Sequence, residues 1–194
     1  MAVRSDDTEL DPRVERTRRL VLNATLKELS AVGYGALTID AIAARAGVAR
    51  STIYRNWPDK MALIRDALET LNVQPHALPE QEPATALDKV EDLLVHLNSV
   101  IANSIISDCL PALIGAAELH PEVAQFLHGY SSKRRQTLIK AIEEGISRGE
   151  FPDDLDPELA ALALSGPIFY CRLMTDHPLE LSQVKPLIEI VLFR

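Results

Sequence analysis

Apolar residues recur at helical spacing along most of the chain, and no stretch alternates in the manner of a strand. Leu22, Leu26 and Leu29 (i, i+4, i+7) mark the buried face of a first helix over 12–32, ended by Gly33. Ile39, Ile42 and Ala46 set one stripe on a short second helix, and Ile53 and Trp57 set another on a third over 49–57. Leu63, Ala67 and Leu71 do the same for a fourth over 59–71. Further along, Leu87, Val90, Leu94, Leu97 and Ile101 predict a helix over 84–106, followed by a short apolar one over 109–119. Pro121 opens a long helix that reaches Arg148 and stops at Gly149. A loop over 151–156 leads to the Asp156-Pro157 start of a helix that ends near Thr175, and a last helix covers 181–193. The segment 157–174 is apolar nearly all round, so it needs cover on several sides. Gly166-Pro167 inside it predicts a bend. The predicted fold is all-α. A three-helix head spans 1–58, a connecting helix 59–72, a surface linker 73–85 with Pro75, Pro79 and Pro83, and a larger helical body 86–194. Residues 1–11 are polar and expected to fray.

The head carries the most specific local chemistry. Thr38 is placed to cap the second helix, and Asp40 puts negative charge in its first turn, where the helix dipole favours it. Ala43 is small enough to admit a second helix, Gly47 supplies a left-handed stop, and Val48 turns inward. Pro58 ends the third helix and Asp59 caps the fourth. The positions left facing outward are Arg50, Ser51, Thr52, Tyr54, Arg55 and Asn56. Arg reads guanine and Asn reads adenine through paired hydrogen bonds, while Tyr, Ser and Thr bond phosphates or base edges. Ala43, Gly47 and Ile53 have the spacing of a helix-turn-helix core, although a plain helical hairpin with a solvated charged face fits the spacing alone.

Taken in order, Gly33-Tyr34, Thr38-Ile39, Ile42-Ala43, Ala46-Gly47-Val48, Thr52-Ile53-Tyr54 and Trp57-Pro58-Asp59-Lys60 resemble the DNA-binding domain of the TetR family of bacterial regulators. Two positions depart from the pattern: Trp57 stands where Phe is commoner, and Asn56 where His, Tyr or Arg is usual. The resemblance implies that the start of the first helix, with Arg13, Arg16 and Arg19, passes near the DNA backbone. It also implies that Tyr54 and Lys60 contact phosphate. The candidate DNA-contacting set is therefore Thr38, Arg50, Ser51, Thr52, Tyr54, Arg55, Asn56 and Lys60. In the family the last two helices pair with those of a second copy, which would put Leu162, Phe169, Leu187, Ile188 and Val191 at a homodimer interface; an ordinary intrachain core is the competing account.

Charge distribution fits this division. Between Arg13 and Pro58 there are eight Lys or Arg against three Asp or Glu, a net +5, in a chain whose total is −8, so the remainder carries −13. A basic head on an acidic body suits a protein that meets phosphates with one end. Too few cations remain for an architectural DNA binder without sequence preference, whose affinity rests on many phosphate contacts. No 18-residue apolar run predicts a membrane span, and the N-terminus lacks a secretion signal, so the expected location is cytoplasmic. Cys109 and Cys171 form no metal-ligand spacing and read as reduced thiols. No catalytic or nucleotide-binding motif supports an enzyme fused to the head, so neither catalytic residues nor a cofactor or metal are expected. Leu97, Ile101, Ile105, Leu113, Phe126, Tyr130, Phe169 and Tyr170 are candidates for a pocket taking a small apolar or aromatic effector, though each taken singly is better explained as core. His96, His120, His128 and His177 are candidates for polar groups in such a pocket, though each taken singly is better explained as a surface or satisfied histidine. The function expected is a homodimeric, ligand-released repressor on a palindromic operator; regulation without a ligand is the alternative.

Overall fold

The computed structural model describes residues 12–71 and 85–193. The frayed N-terminus expected over 1–11 falls outside them, as does the expected linker over 73–85 apart from Thr85. Among the described residues the chain is helical and contains no strand. It divides into two compact units between Leu71 and Asn72.

The N-terminal unit holds α1 (Pro12–Ala36), α2 (Ile39–Ala46), α3 (Arg50–Asn56) and α4 (Lys60–Leu71). Leu22, Leu26 and Leu29 are fully buried, as their spacing predicts. Helical geometry breaks at Gly33 (φ 75°, ψ 169°), where the pattern places the end of the first helix, and a short turn follows through Ala36. Beyond the break Tyr34 and Leu37 enter the core. α1 packs against both α2 and α4. Arg45 pairs with Glu28 at 2.6 Å to tie α2 to α1. At the start of α4, Asp59 Oδ1 accepts the Ala62 N–H at 2.8 Å, the expected cap.

The C-terminal unit holds α5 (Ala86–Asn103), α6 (Ile105–Ala117), α7 (Pro121–Ser147), α8 (Pro157–Met174) and, after a 3-10 turn at Leu181–Gln183, α9 (Val184–Leu192). α6 begins four residues earlier than the apolar pattern suggests. Ser104 caps it by accepting the N–H groups of Ile106 and Ser107, and the chain turns by 78° between α5 and α6. Thr85 and Asp88 form a reciprocal capping box at the head of α5. Glu150 adds a second clamp there, accepting Ala86 N–H at 2.7 Å and Leu87 N–H at 3.3 Å. Val90, Leu94, Ile142, Leu164 and Ile188 anchor the core between α5, α7, α8 and α9.

Two features of this unit differ from expectation. Phe151, assigned to a loop, is 3% exposed. Its ring lies where the side chain of residue 145 would stand, and Gly145 leaves that space open. α8, expected to need cover all round, buries one face through Ala160, Ala161, Leu164 and Ile168 and leaves the other open within this chain. It continues through Pro167 as one helix. Among the described residues no single helix is long and apolar enough to cross a membrane.

Candidate nucleic-acid interface and helical cavity

The α2–turn–α3 unit is built from short-range chemistry. Thr38 Oγ1 accepts the Ala41 N–H at 3.2 Å and fixes the start of α2. Gly47 adopts φ 68°, and the Val48 N–H reaches back to Ala43 O at 3.1 Å, closing the helix with a left-handed cap. Ile42, Ala43 and Ile53 are buried against one another's helices, and Trp57 is 6% exposed. Val48 and Ala46 are only half-buried. With its inner face so anchored, α3 turns Arg50, Ser51, Tyr54, Arg55 and Asn56 to solvent, while Thr52 is half-buried.

The outward side chains are not equally available. Arg50 Nη1 lies 2.9 Å from both carboxylate oxygens of Asp40. Their side chains are 66% and 60% exposed, so the pair is weak and readily exchanged for another anion. Asn56 Nδ2 donates to Thr52 O at 2.8 Å, which ties its amide to the helix backbone. Lys60 Nζ donates to Tyr34 O at 2.8 Å and sits 4.1 Å from the centre of the Tyr34 ring. Two of its three donor hydrogens stay available for an anion. Thr38 is committed to its capping bond but exposed.

Sequence reasoning passed over Asp66, the residue that locks this unit together. Its carboxylate accepts from Arg18 Nη2 at 2.6 Å, from Trp57 Nε1 at 2.7 Å and from Thr70 Oγ1 at 3.0 Å. The three donors join α1, the end of α3 and α4. Burial alone pushes the Asp66 carboxyl up, but these donors and the Arg18 charge outweigh it and hold the group below the ordinary carboxylate range. The available signal was an acid between the apolar positions Leu63 and Ala67 of α4, next to a Trp whose indole N–H requires a partner when buried.

The C-terminal unit holds a partly open cavity of about 400 Å³ among α5, α6, α7 and α8. Of the candidate pocket residues, Leu97, Ile101, Tyr130 and Phe169 line it. Ile105, Leu113, Phe126 and Tyr170 do not. Leu113 and Phe126 are buried elsewhere, Ile105 is half-buried in the first turn of α6, and Tyr170 is 63% exposed. One residue advances a helix by about 100°, so Phe169 faces inward and its neighbour Tyr170 outward. The wall also includes His96, Arg134 and Arg135, which apolar periodicity does not reveal. His96 Nε2 is buried without a hydrogen-bond partner, and burial together with the Arg134 charge holds its imidazole below the ordinary histidine value.

The candidate dimer residues also separate. Leu162 is exposed, Leu187 and Val191 are half-buried, and Phe169 faces the cavity. Ile188 is 1% exposed inside the chain's own core and is removed from any surface. What α8 does present is an apolar stripe of Leu159, Leu162, Ala163, Tyr170 and Met174, spaced as one helical face. Cys109 and Cys171 are both free thiols.

Comparison with known proteins agrees with this architecture. The family model described as bacterial regulatory proteins, tetR family, matches residues 21–67, and that described as the tetracyclin repressor-like C-terminal domain matches residues 87–191. The HTH-type transcriptional regulator YdeS of Bacillus subtilis is 32% identical over 180 residues, covering 91% of this chain and 88% of YdeS. A TetR-family regulator from Rhodococcus sp. superposes with a TM-score of 0.72 at 19% identity, over 91% of this chain and 98% of that one. FadR from Bacillus subtilis, solved in complex with stearoyl-CoA, superposes with a TM-score of 0.69 at 22% identity, over 90% of this chain and 97% of FadR. The capped helix-turn-helix, the helical unit that follows it in sequence and these matches to both parts of the sequence establish that the chain belongs to the TetR family of bacterial transcriptional regulators.

Proposed function

We propose that the protein is a homodimeric repressor that binds a palindromic operator and leaves it when a small apolar or aromatic effector occupies the body. The observation that carries this reading is α3. Its inner face is fixed by Ile53 and Trp57, and its outer face offers Arg50, Ser51, Tyr54 and Arg55 to solvent. Such a helix enters a major groove, with Arg50 or Arg55 on base edges and Tyr54 and Lys60 on phosphates. One recognition helix specifies few base pairs. Two related by a two-fold axis read half-sites about 34–36 Å apart, and the open apolar stripe of α8 supplies a surface for the pairing. The cavity supplies a place for the effector. An effector acts by binding the DNA-released state more tightly than the operator-bound state; equal affinity for both would shift nothing. A regulator of this kind works in the cytoplasm, beside its operator.

Selection of bound sites from random DNA tests the reading, with a palindrome as the expected product. On that site, Arg50→Ala should cost about 1–3 kcal/mol and relax preference at one base pair. Lys60→Ala should weaken all sequences alike and lower the salt slope by about one unit. Recovery of no common sequence, or unchanged binding in both variants, would refute the assignment.

A further inference from the structure

We infer that the effector is an anionic amphiphile, with an apolar chain along the leucine and isoleucine wall of the body cavity and a carboxylate or similar acidic head against Arg134, Arg135 and His96. This rests on the effector reading above and narrows its chemistry. The cavity wall is mainly aliphatic, yet two consecutive arginines of α7 both reach it. Against them stands one lining carboxylate, Glu118, on an exposed residue at the end of α6. Arg134, Arg135 and Glu118 thus give the lining two positive charges against one negative.

The state of each cationic group favours an anion. Arg134 lies over the Tyr130 ring, its guanidinium carbon 4.6 Å from the ring centre, which holds the fork in place at the wall. Arg135 is half-buried and, among the described residues, makes no ion pair. A cation beside apolar walls is costly until it is paired, and a bound anion supplies the partner. The imidazole of His96 is held neutral by burial and by the Arg134 charge, so it can donate to an acidic head from one ring nitrogen. Its Nε2 is the nitrogen that lacks a partner. A cationic ligand would meet two guanidinium groups, and a purely apolar one would leave Arg135 without a counter-charge. A cavity of about 400 Å³ lies within the range of small-molecule sites, roughly 300–1,000 Å³.

Decanoate, 1-decanol and decyltrimethylammonium share one chain and differ in head charge. Their binding to the full chain, measured by titration calorimetry and thermal shift below the onset of micelles, tests the inference. Decanoate should bind at least tenfold more tightly than 1-decanol, about 1.4 kcal/mol, and the cation should bind worst. The advantage of decanoate should fall below about threefold in the Arg134→Gln, Arg135→Gln double variant. If that variant melts early without ligand, Arg135→Gln alone carries the comparison. Leu97→Trp, which fills the cavity, should abolish binding of both chains. Binding of 1-decanol as tight as decanoate in the unaltered protein would overturn the anionic head and leave the effector cavity standing. Decanoate binding that survives Leu97→Trp would place the site elsewhere and overturn the inference. Failure of all three probes to bind would overturn it together with the effector reading.

Discussion

Asp66 shows how one side chain can hold a recognition unit in shape. Trp57 closes the end of α3, and its indole N–H, the Arg18 guanidinium and the Thr70 hydroxyl all end on the same carboxylate. Asp66→Ala leaves those donors without their acceptor and should destabilise the N-terminal unit by about 1–3 kcal/mol. Trp57 is the one tryptophan in the chain, so its fluorescence in a urea titration reports this unit directly. The pH dependence has a definite sign. The folded carboxyl ionises below its ordinary value, so the unfolded chain holds the proton more tightly. The stabilisation is complete above about pH 4–5 and is lost as pH falls through the ordinary carboxylate value, about 3.9, towards the folded one. The stability gap between the natural chain and Asp66→Asn should therefore narrow on acidification across that window. A gap independent of pH would contradict the role given to the carboxylate.

The packing of α7 against the start of α5 depends on a missing side chain. Gly145 lies under the Phe151 ring, which in turn meets Phe193 edge to face at 5.8 Å between centres. A methyl group at residue 145 would overlap that ring and crowd Ala86. Gly145→Ala should then cost about 1–3 kcal/mol through overpacking, although alanine is the better helix former. Gly129 lies on the same helix with open space around it. Gly129→Ala should instead stabilise by up to about 1 kcal/mol. Urea midpoints of the two variants moving in the same direction would show that helix propensity, not the aromatic contact, governs this element.

At the scale of the whole molecule, the basic head and acidic remainder would orient the chain on DNA, and the proposed pairing of two chains would set how much DNA is read. The α8 stripe is the surface proposed for that pairing. Leu162→Glu places a charge in it and should shift the protein towards monomer in sedimentation, with helical circular dichroism retained and operator affinity reduced at least tenfold. Ile188→Glu, by contrast, puts a charge into the chain's own core and should unfold the body. A Leu162→Glu protein that stayed dimeric would move the interface away from α8. The contrast between these two positions also marks what sequence could not resolve. Both are aliphatic residues on C-terminal helices, and only the placement of α9 against α5 and α8 makes one of them interior.

The sequence by itself determined the helices, their caps and the helix-turn-helix. Thr38, Gly47 and Asp156 act within a turn of the chain, and the Ile42, Ala43 and Ile53 core joins elements separated by a few residues. Signals of that range survive without knowledge of distant packing. Tertiary structure decided which faces of those helices meet. A periodic apolar pattern names a stripe but not its neighbour, so Phe169 and Tyr170 looked alike until the body closed around one of them. Asp66, His96 and the α7 arginines acquire meaning only when helices far apart in sequence bring donors, charges and an apolar wall within a few ångströms of each other.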